Sequence, residues 1–305
     1  MTKKLLLIML FISTLYSITL VAKITPNEVY SEVMILEDEI YNLMDYFEVE
    51  YDKNKIIDKV NTELKPRNIW QKSYEVMIKI NILRNKHNFL TIEPVNMAPV
   101  LNLNPDLVYE QTQRIKTELD IFKHRLGISN IKYEKDYKFK NKTPLDVYNG
   151  LSNLSNLFDI LSKGELTLSY VFAENMRIYN DIDLILGYFD IEDKTIPQKK
   201  NIDATPTGTF NIGLKILEKI KQLQISVGID FVNFNSFKKK TQTPSEVFGI
   251  TQMIISELQT IKAYLGISVI TSGAVEYKTK TPVEVDQLMS WNLRKLELLK
   301  SLLRR

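Results

Sequence analysis

The sequence predicts an all-α protein: an array of eight helices, read as two tandem four-helix modules with long connecting loops. Three observations predict it. A helix-start phrase recurs along the chain, a shared apolar spacing follows it, and the phrases that end the helices recur in pairs.

The phrase reads Thr25-Pro26-Asn27-Glu28-Val29-Tyr30 at the first helix, and its polar residues are those of a helix N-terminus. Thr accepts an orphan N–H as N-cap, and Pro at the first helical position loses only an N–H that had no partner. Glu three residues after the Thr closes a capping box and suits the positive end of the helix dipole. The second start, Lys65-Pro66-Arg67-Asn68-Ile69-Trp70, is a weaker copy. The third is Asn104-Pro105-Asp106-Leu107-Val108-Tyr109 and the fourth Thr143-Pro144-Leu145-Asp146-Val147-Tyr148. A proline-free copy, Thr167-Leu168-Ser169-Tyr170-Val171-Phe172, opens the fifth helix and a degenerate one at Thr205-Pro206 the sixth. Thr243-Pro244-Ser245-Glu246-Val247-Phe248 and Thr281-Pro282-Val283-Glu284-Val285 open the last two.

Behind each start the apolar residues step by four, three, four, three, four: Val29, Val33, Leu36, Ile40, Leu43, Phe47 in the first helix and Val247, Thr251, Ile254, Leu258, Ile261, Leu265 in the seventh. Helices three (Val108 to Leu126) and five (Val171 to Phe189) repeat it. This is a heptad seam, and a single stripe on a helix about 30 Å long requires neighbouring helices to bury it.

The starts at 26, 66, 105, 144, 168, 206, 244 and 282 are 38 to 40 residues apart except for one step of 24. At that step the link Ser162-Lys163-Gly164-Glu165-Leu166 predicts antiparallel neighbours. Tyr46-Phe47-Glu48-Val49 after helix one matches Tyr188-Phe189-Asp190-Ile191 after helix five. Leu126-Gly127-Ile128 after helix three matches Leu265-Gly266-Ile267 after helix seven. The expected division is therefore residues 1–22, a four-helix module at 23–163 and a related one at 164–305, with one continuous superhelix as the competing arrangement. The period is similar to that of tetratricopeptide and armadillo-type arrays in architecture alone, since one long helix per period is not two short ones, and the comparison transfers no site.

Residues 1–22 read as an export signal: Lys3-Lys4, an uncharged apolar run from Leu5 to Ala22, then Lys23. Ala22 suits a cleavage site, while the bulk of Leu20 leaves an uncleaved anchor as the alternative. The expected location is the periplasm or cell envelope, with membrane contact only through an uncleaved N-terminal segment. The chain has no cysteine, so disulfides, thiol catalysis and a Cys-ligated metal are excluded. With 40 basic and 37 acidic residues the chain carries a net charge of only +3, so global charge steers no partner.

No catalytic motif is present, and neither a metal nor a cofactor is expected. His87 and His124 lie at helix C-termini, where a partly charged imidazole would complement the dipole. Tyr30, Trp70, Tyr109, Tyr148, Phe172, Phe210 and Phe248 recur at one repeat position and read as a packing layer, with an aromatic ligand pocket as the alternative; Asp286 replaces the ring in a last helix with no further neighbour to cover it. The candidate binding residues are in the Lys- and aromatic-rich loops: Lys132, Tyr133, Tyr137, Lys138, Phe139 and Lys140, and Phe237, Lys238, Lys239 and Lys240. The competing reading has such loops fold apolar residues, among them Ile229, Phe231 and Phe234, back onto the helices. The function expected is that of an exported, non-catalytic binding or scaffolding component of the cell envelope. It would have a protein partner, an anionic envelope polymer as a further candidate, and no nucleic acid. The alternative is a carrier of a small apolar or aromatic ligand held between helices.

Overall fold

The computed structural model describes residues 23–52, 60–128, 137–163, 166–237, 241–273, 277 and 279–299. Within them the chain is an all-helical array of eight α-helices: α1 (Pro26–Tyr46), α2 (Pro66–Lys86), α3 (Pro105–Arg125), α4 (Pro144–Ser162), α5 (Leu168–Tyr188), α6 (Pro206–Ser226), α7 (Pro244–Tyr264) and α8 (Pro282–Glu297), with a 3₁₀ turn at Asn235–Phe237. No helix among the described residues is long and apolar enough to cross a membrane.

The starts are capped as the phrase requires. Thr143 and Thr243 accept from the backbone N–H of Asp146 and Glu246, whose carboxylates accept in return from the two threonine N–H groups at 2.8 and 2.7 Å. At the weaker second start, Asn68 accepts from the Lys65 N–H at 3.0 Å. The ends share a second device. Glu48, Asn88, Gly127, Asp190, Gly228 and Gly266 take a positive φ just past α1, α2, α3, α5, α6 and α7. The next residue's N–H then bonds back to a carbonyl of the last turn, as in Val49 to Met44 at 2.8 Å and Ile191 to Leu186 at 3.0 Å. The paired phrases in the sequence are these Schellman caps, and their hydrophobic residue is the one that closes over the helix end.

The helices within each set of four run parallel. Glu32 and Glu39 of α1 meet Lys116 and Lys123 of α3 in order. Glu75 and Lys79 of α2 meet Ser155 and Asp159 of α4 at 2.5 and 2.6 Å. In the second set Glu174 and Asp181 of α5 meet Gln252 and Lys262 of α7, and Gly213 and Gln224 of α6 meet Ile250 and Glu257 of α7. Parallel packing accounts for the long connections. A 21-residue helix is about 31 Å long, and segments such as 87–104 and 189–205 must return over that length before the next helix starts. They do so largely extended, inward and outward residues interleaved.

Helices α1 and α2 each pack on α3 and α4, and α5 and α6 each pack on α7 and α8. The first set joins the second through α2 and α7. There the order reverses: Arg67, Asn68, Gln71 and Lys79 meet Glu257, Ser256, Gln252 and Ser245. The sets are therefore antiparallel, which offsets the dipoles that add within each parallel set. The short link does reverse the chain, with Lys163 at φ 49° ending α4. Contrary to the expectation of neighbours, α4 and α5 do not pack along their length. The reversal happens between sets, so each of the two helices is held by its own set.

The expected seams are buried in α1, α3, α5 and α7. Helices α2 and α7 depart from the single-stripe expectation, since nearly every residue from Arg67 to Asn81 and from Ile250 to Lys262 is buried. Their polar faces cover each other.

Candidate functional site

Of the predicted loop residues, Lys132 and Tyr133, and Lys238, Lys239 and Lys240, lie outside the described residues. The segment Tyr137-Lys138-Phe139-Lys140 is extended and returns toward α4, with its rings turned inward and its lysines outward. Tyr137 donates to Asp38 at 2.7 Å, and Phe139 meets Tyr30 edge-on at 4.8 Å and stacks on Tyr137 at 5.7 Å. The Lys142 ammonium caps this group 4.1 Å from the Tyr30 ring, a cation–π contact. Phe237 is in a different place and state: it is buried between Tyr148 (5.9 Å) and Phe234 (5.3 Å). The structure does not bring it onto one surface with Tyr137 to Lys140. Ile229 and Phe234 fold back onto the helices as the competing reading has it, whereas Phe231 is exposed beneath Lys221.

The recurrent rings form two layers, one near the starts of α1–α4 and one near those of α5–α7, because the sets run in opposite directions. Four of the seven rings are buried by the chain itself, and Tyr30, Tyr109 and Phe172 are partly buried. Phe172 meets Tyr277 at 5.3 Å with Lys280 above it at 4.3 Å, repeating the arrangement of Tyr30, Phe139 and Lys142. Phe248 has no exposure at all, and Trp70, Tyr148 and Phe210 are buried. Burial pushes the Tyr148 hydroxyl far above the ordinary tyrosine range. Asp286 is not uncovered as expected: it is buried and accepts from Thr209 of α6 at 3.2 Å. His87 also departs from expectation. It lies between Phe47 (4.9 Å) and Phe122 (5.4 Å), and burial, aided by Lys86, lowers its pKa and so favours the neutral ring.

The largest concentration of buried chemistry is where α2 meets α7, and sequence reading missed it. Arg67 makes two hydrogen bonds to Glu257, at 2.9 and 3.0 Å, and Gln224 donates to the same carboxylate at 2.7 Å. One turn on, Gln71 donates to Gln252, which donates to Glu174; Tyr74 also donates to Glu174. Further along, Lys72 pairs with Glu75 at 2.7 Å, and Lys79 bonds both Asp159 (2.6 Å) and Ser245 (2.7 Å). Burial alone would raise the Glu75 pKa, but Lys72 and Lys79 beside it hold it below the usual carboxylate range. Burial raises the Glu174 pKa, against the opposing effect of Arg177 at 3.4 Å. Such a network satisfies polar groups and fixes the register of two helices. The spacing of Lys72, Glu75 and Lys79 is a sequence trace of it, but the same spacing describes a solvated helix face.

Among the described residues no group of three or more His, Cys, Asp or Glu is placed to hold a metal ion. Comparison with known protein families, with curated proteins and with solved structures finds no match.

Proposed function

We propose that the chain is a non-catalytic binding or scaffolding protein of the periplasm or cell envelope, exported by residues 1–22, with the return segment before α4 as part of its protein-binding surface. The observation that carries this reading is the pinned alternation of that segment. Tyr137 and Phe139 fasten it to α1, and Lys138 and Lys140 are thereby presented at fixed positions. A prepositioned edge loses less conformational freedom on binding than a loose loop does. The carrier reading has less support, because the ring layers are filled by the chain's own residues.

The test uses residues 23–305 with a C-terminal affinity tag, incubated with the native envelope fraction. Lys138→Ser with Lys140→Ser should leave helicity unchanged and reduce capture of a discrete protein, most strongly at low salt. Undiminished capture removes this segment from the surface. Recovery of full-length tagged chain in the soluble cytoplasm counts against export. A small molecule retained in native mass spectrometry supports the carrier instead.

The division into related modules at 23–163 and 164–305 belongs to the same proposal. It is supported by the repeated ring–lysine group and by the repeated wiring of the helices. Superposition of α1–α4 on α5–α8 should be the best internal match; an offset of one or two helices would end it.

A further inference from the structure

On that alignment the counterpart of α2 is α6, and the counterpart of α7 is α3. Helices α2 and α7 cover each other, whereas among the described residues α6 and α3 pack only within their own sets. The corresponding faces are exposed at Glu110 and Thr117 of α3 and at Gly208, Asn211 and Lys215 of α6.

We propose that these two faces form an interface between copies of this chain, α6 of one copy lying antiparallel on α3 of the next, in the register that α2 and α7 already use. Three correspondences carry it. Where Glu75 faces Gly249 within the chain, Lys215 would face Glu110. Where Lys79 bonds Ser245, Lys219 would meet Asp106. Where Gln71 bonds Gln252 at 2.7 Å, Asn211 would meet Gln113. The faces are thus complementary in charge, lysine on α6 and carboxylate on α3, and different from each other. A head-to-tail contact between unlike faces leaves a free face at each end, so it closes into a ring or grows as a filament. This rests on the alignment of the two sets and not on what the protein binds.

The test is association of residues 23–305 by sedimentation, with circular dichroism to confirm that each variant is folded. The wild-type chain should form concentration-dependent oligomers. Lys215→Glu and Glu110→Lys should each weaken self-association about tenfold or more, and an equimolar mixture of the two should restore it, because every contact in an alternating assembly then pairs opposite charges. The absence of native cysteine permits a second measurement: oxidation of Glu110→Cys mixed with Lys215→Cys should give a cross-linked dimer in higher yield than a control pair with Glu192→Cys in place of Lys215→Cys. A wild-type chain that remains monomeric, with cross-linking no better than the control, overturns the proposal. So does a mixture of the charge variants that associates no better than either alone.

Discussion

Lys262 of α7 pairs with Asp181 of α5 at 2.6 Å with both side chains fully buried, at the place where Lys123 of α3 pairs with Glu39 of α1 in the first set. Gln259 adds a 2.8 Å bond to the Asp181 carboxylate, and the Lys262 ammonium also donates to the Val269 carbonyl. Each set of four helices is thus fastened across its first and third members by a buried charge pair.

Removing one partner leaves the other charge buried. Lys262→Met should destabilise the chain by about 3–5 kcal/mol, while Lys262→Met combined with Asp181→Leu should cost clearly less than Lys262→Met alone. Urea denaturation of the two variants checks the order. Equal losses would mean that packing at 262, and not the stranded carboxylate, sets the cost.

The glycines of two helices should respond in opposite directions to alanine. A Cβ at Gly150 would lie 2.9 Å from Val33 Cγ1, in the contact between α4 and α1, and Val33 is buried and stiff at χ1. Gly150→Ala should therefore destabilise by about 1–3 kcal/mol. A Cβ at Gly187 meets nothing within 4 Å, so Gly187→Ala should stabilise by about 0.5 kcal/mol through helix propensity alone. Thermal melts of both variants distinguish the cases.

Asn81 holds the return segment between α2 and α3 in place. Its amide accepts from the Ile92 N–H at 2.8 Å and donates to the Ile92 carbonyl at 2.7 Å. Asn81→Ala should speed hydrogen exchange around Ile92 before it affects α2 itself, with a loss of about 1–3 kcal/mol. Unchanged exchange at Ile92 would show that apolar contacts alone hold the segment.

Glu284, in the cap of α8, has its pKa lowered to about 2 by the Thr281 hydroxyl, by Lys200 and by the Thr281 N–H. Its folded value lies below its unfolded one, so its contribution to stability is present above the ordinary carboxylate pKa and is lost as pH falls toward 2. A carboxyl titration of this residue by NMR should show the low midpoint, and Thr281→Ala should move it upward.

The elements themselves were legible because their signals are local. Thr143 and Asp146, or Thr243 and Glu246, specify a helix start within four residues, and the pairs behave in the structure as their spacing requires. The seam of α1 follows equally from Val29 to Leu43. What was not legible depends on distant partners. Arg67 and Glu257 are 190 positions apart, and each alone looks like any charged residue on a helix surface. The same holds for Asp286, whose cover is Thr209 of α6. Parallel packing has a trace in the sequence, since a connection nearly as long in residues as its helix is what a return run demands, but nothing local in such a stretch separates a return run from a surface loop.

Parallel packing also fixes the order in which the chain can begin to gain stability. No helix folds back on the one just before it except α3 on α2 and α7 on α6, and α1 and α2 share neighbours without packing on each other. Beyond the stacking of Tyr41 on Tyr51 just after the helix, the first helix that α1 packs on is α3, as between Glu32 and Lys116, so most of its apolar stripe stays uncovered until the chain through α3 is in place. Helical proteins usually fold fast because their contacts are local; here α1 meets α3 through residues 84 positions apart, and folding should be slower than in a bundle of neighbouring hairpins, with early helices dependent on later ones for cover.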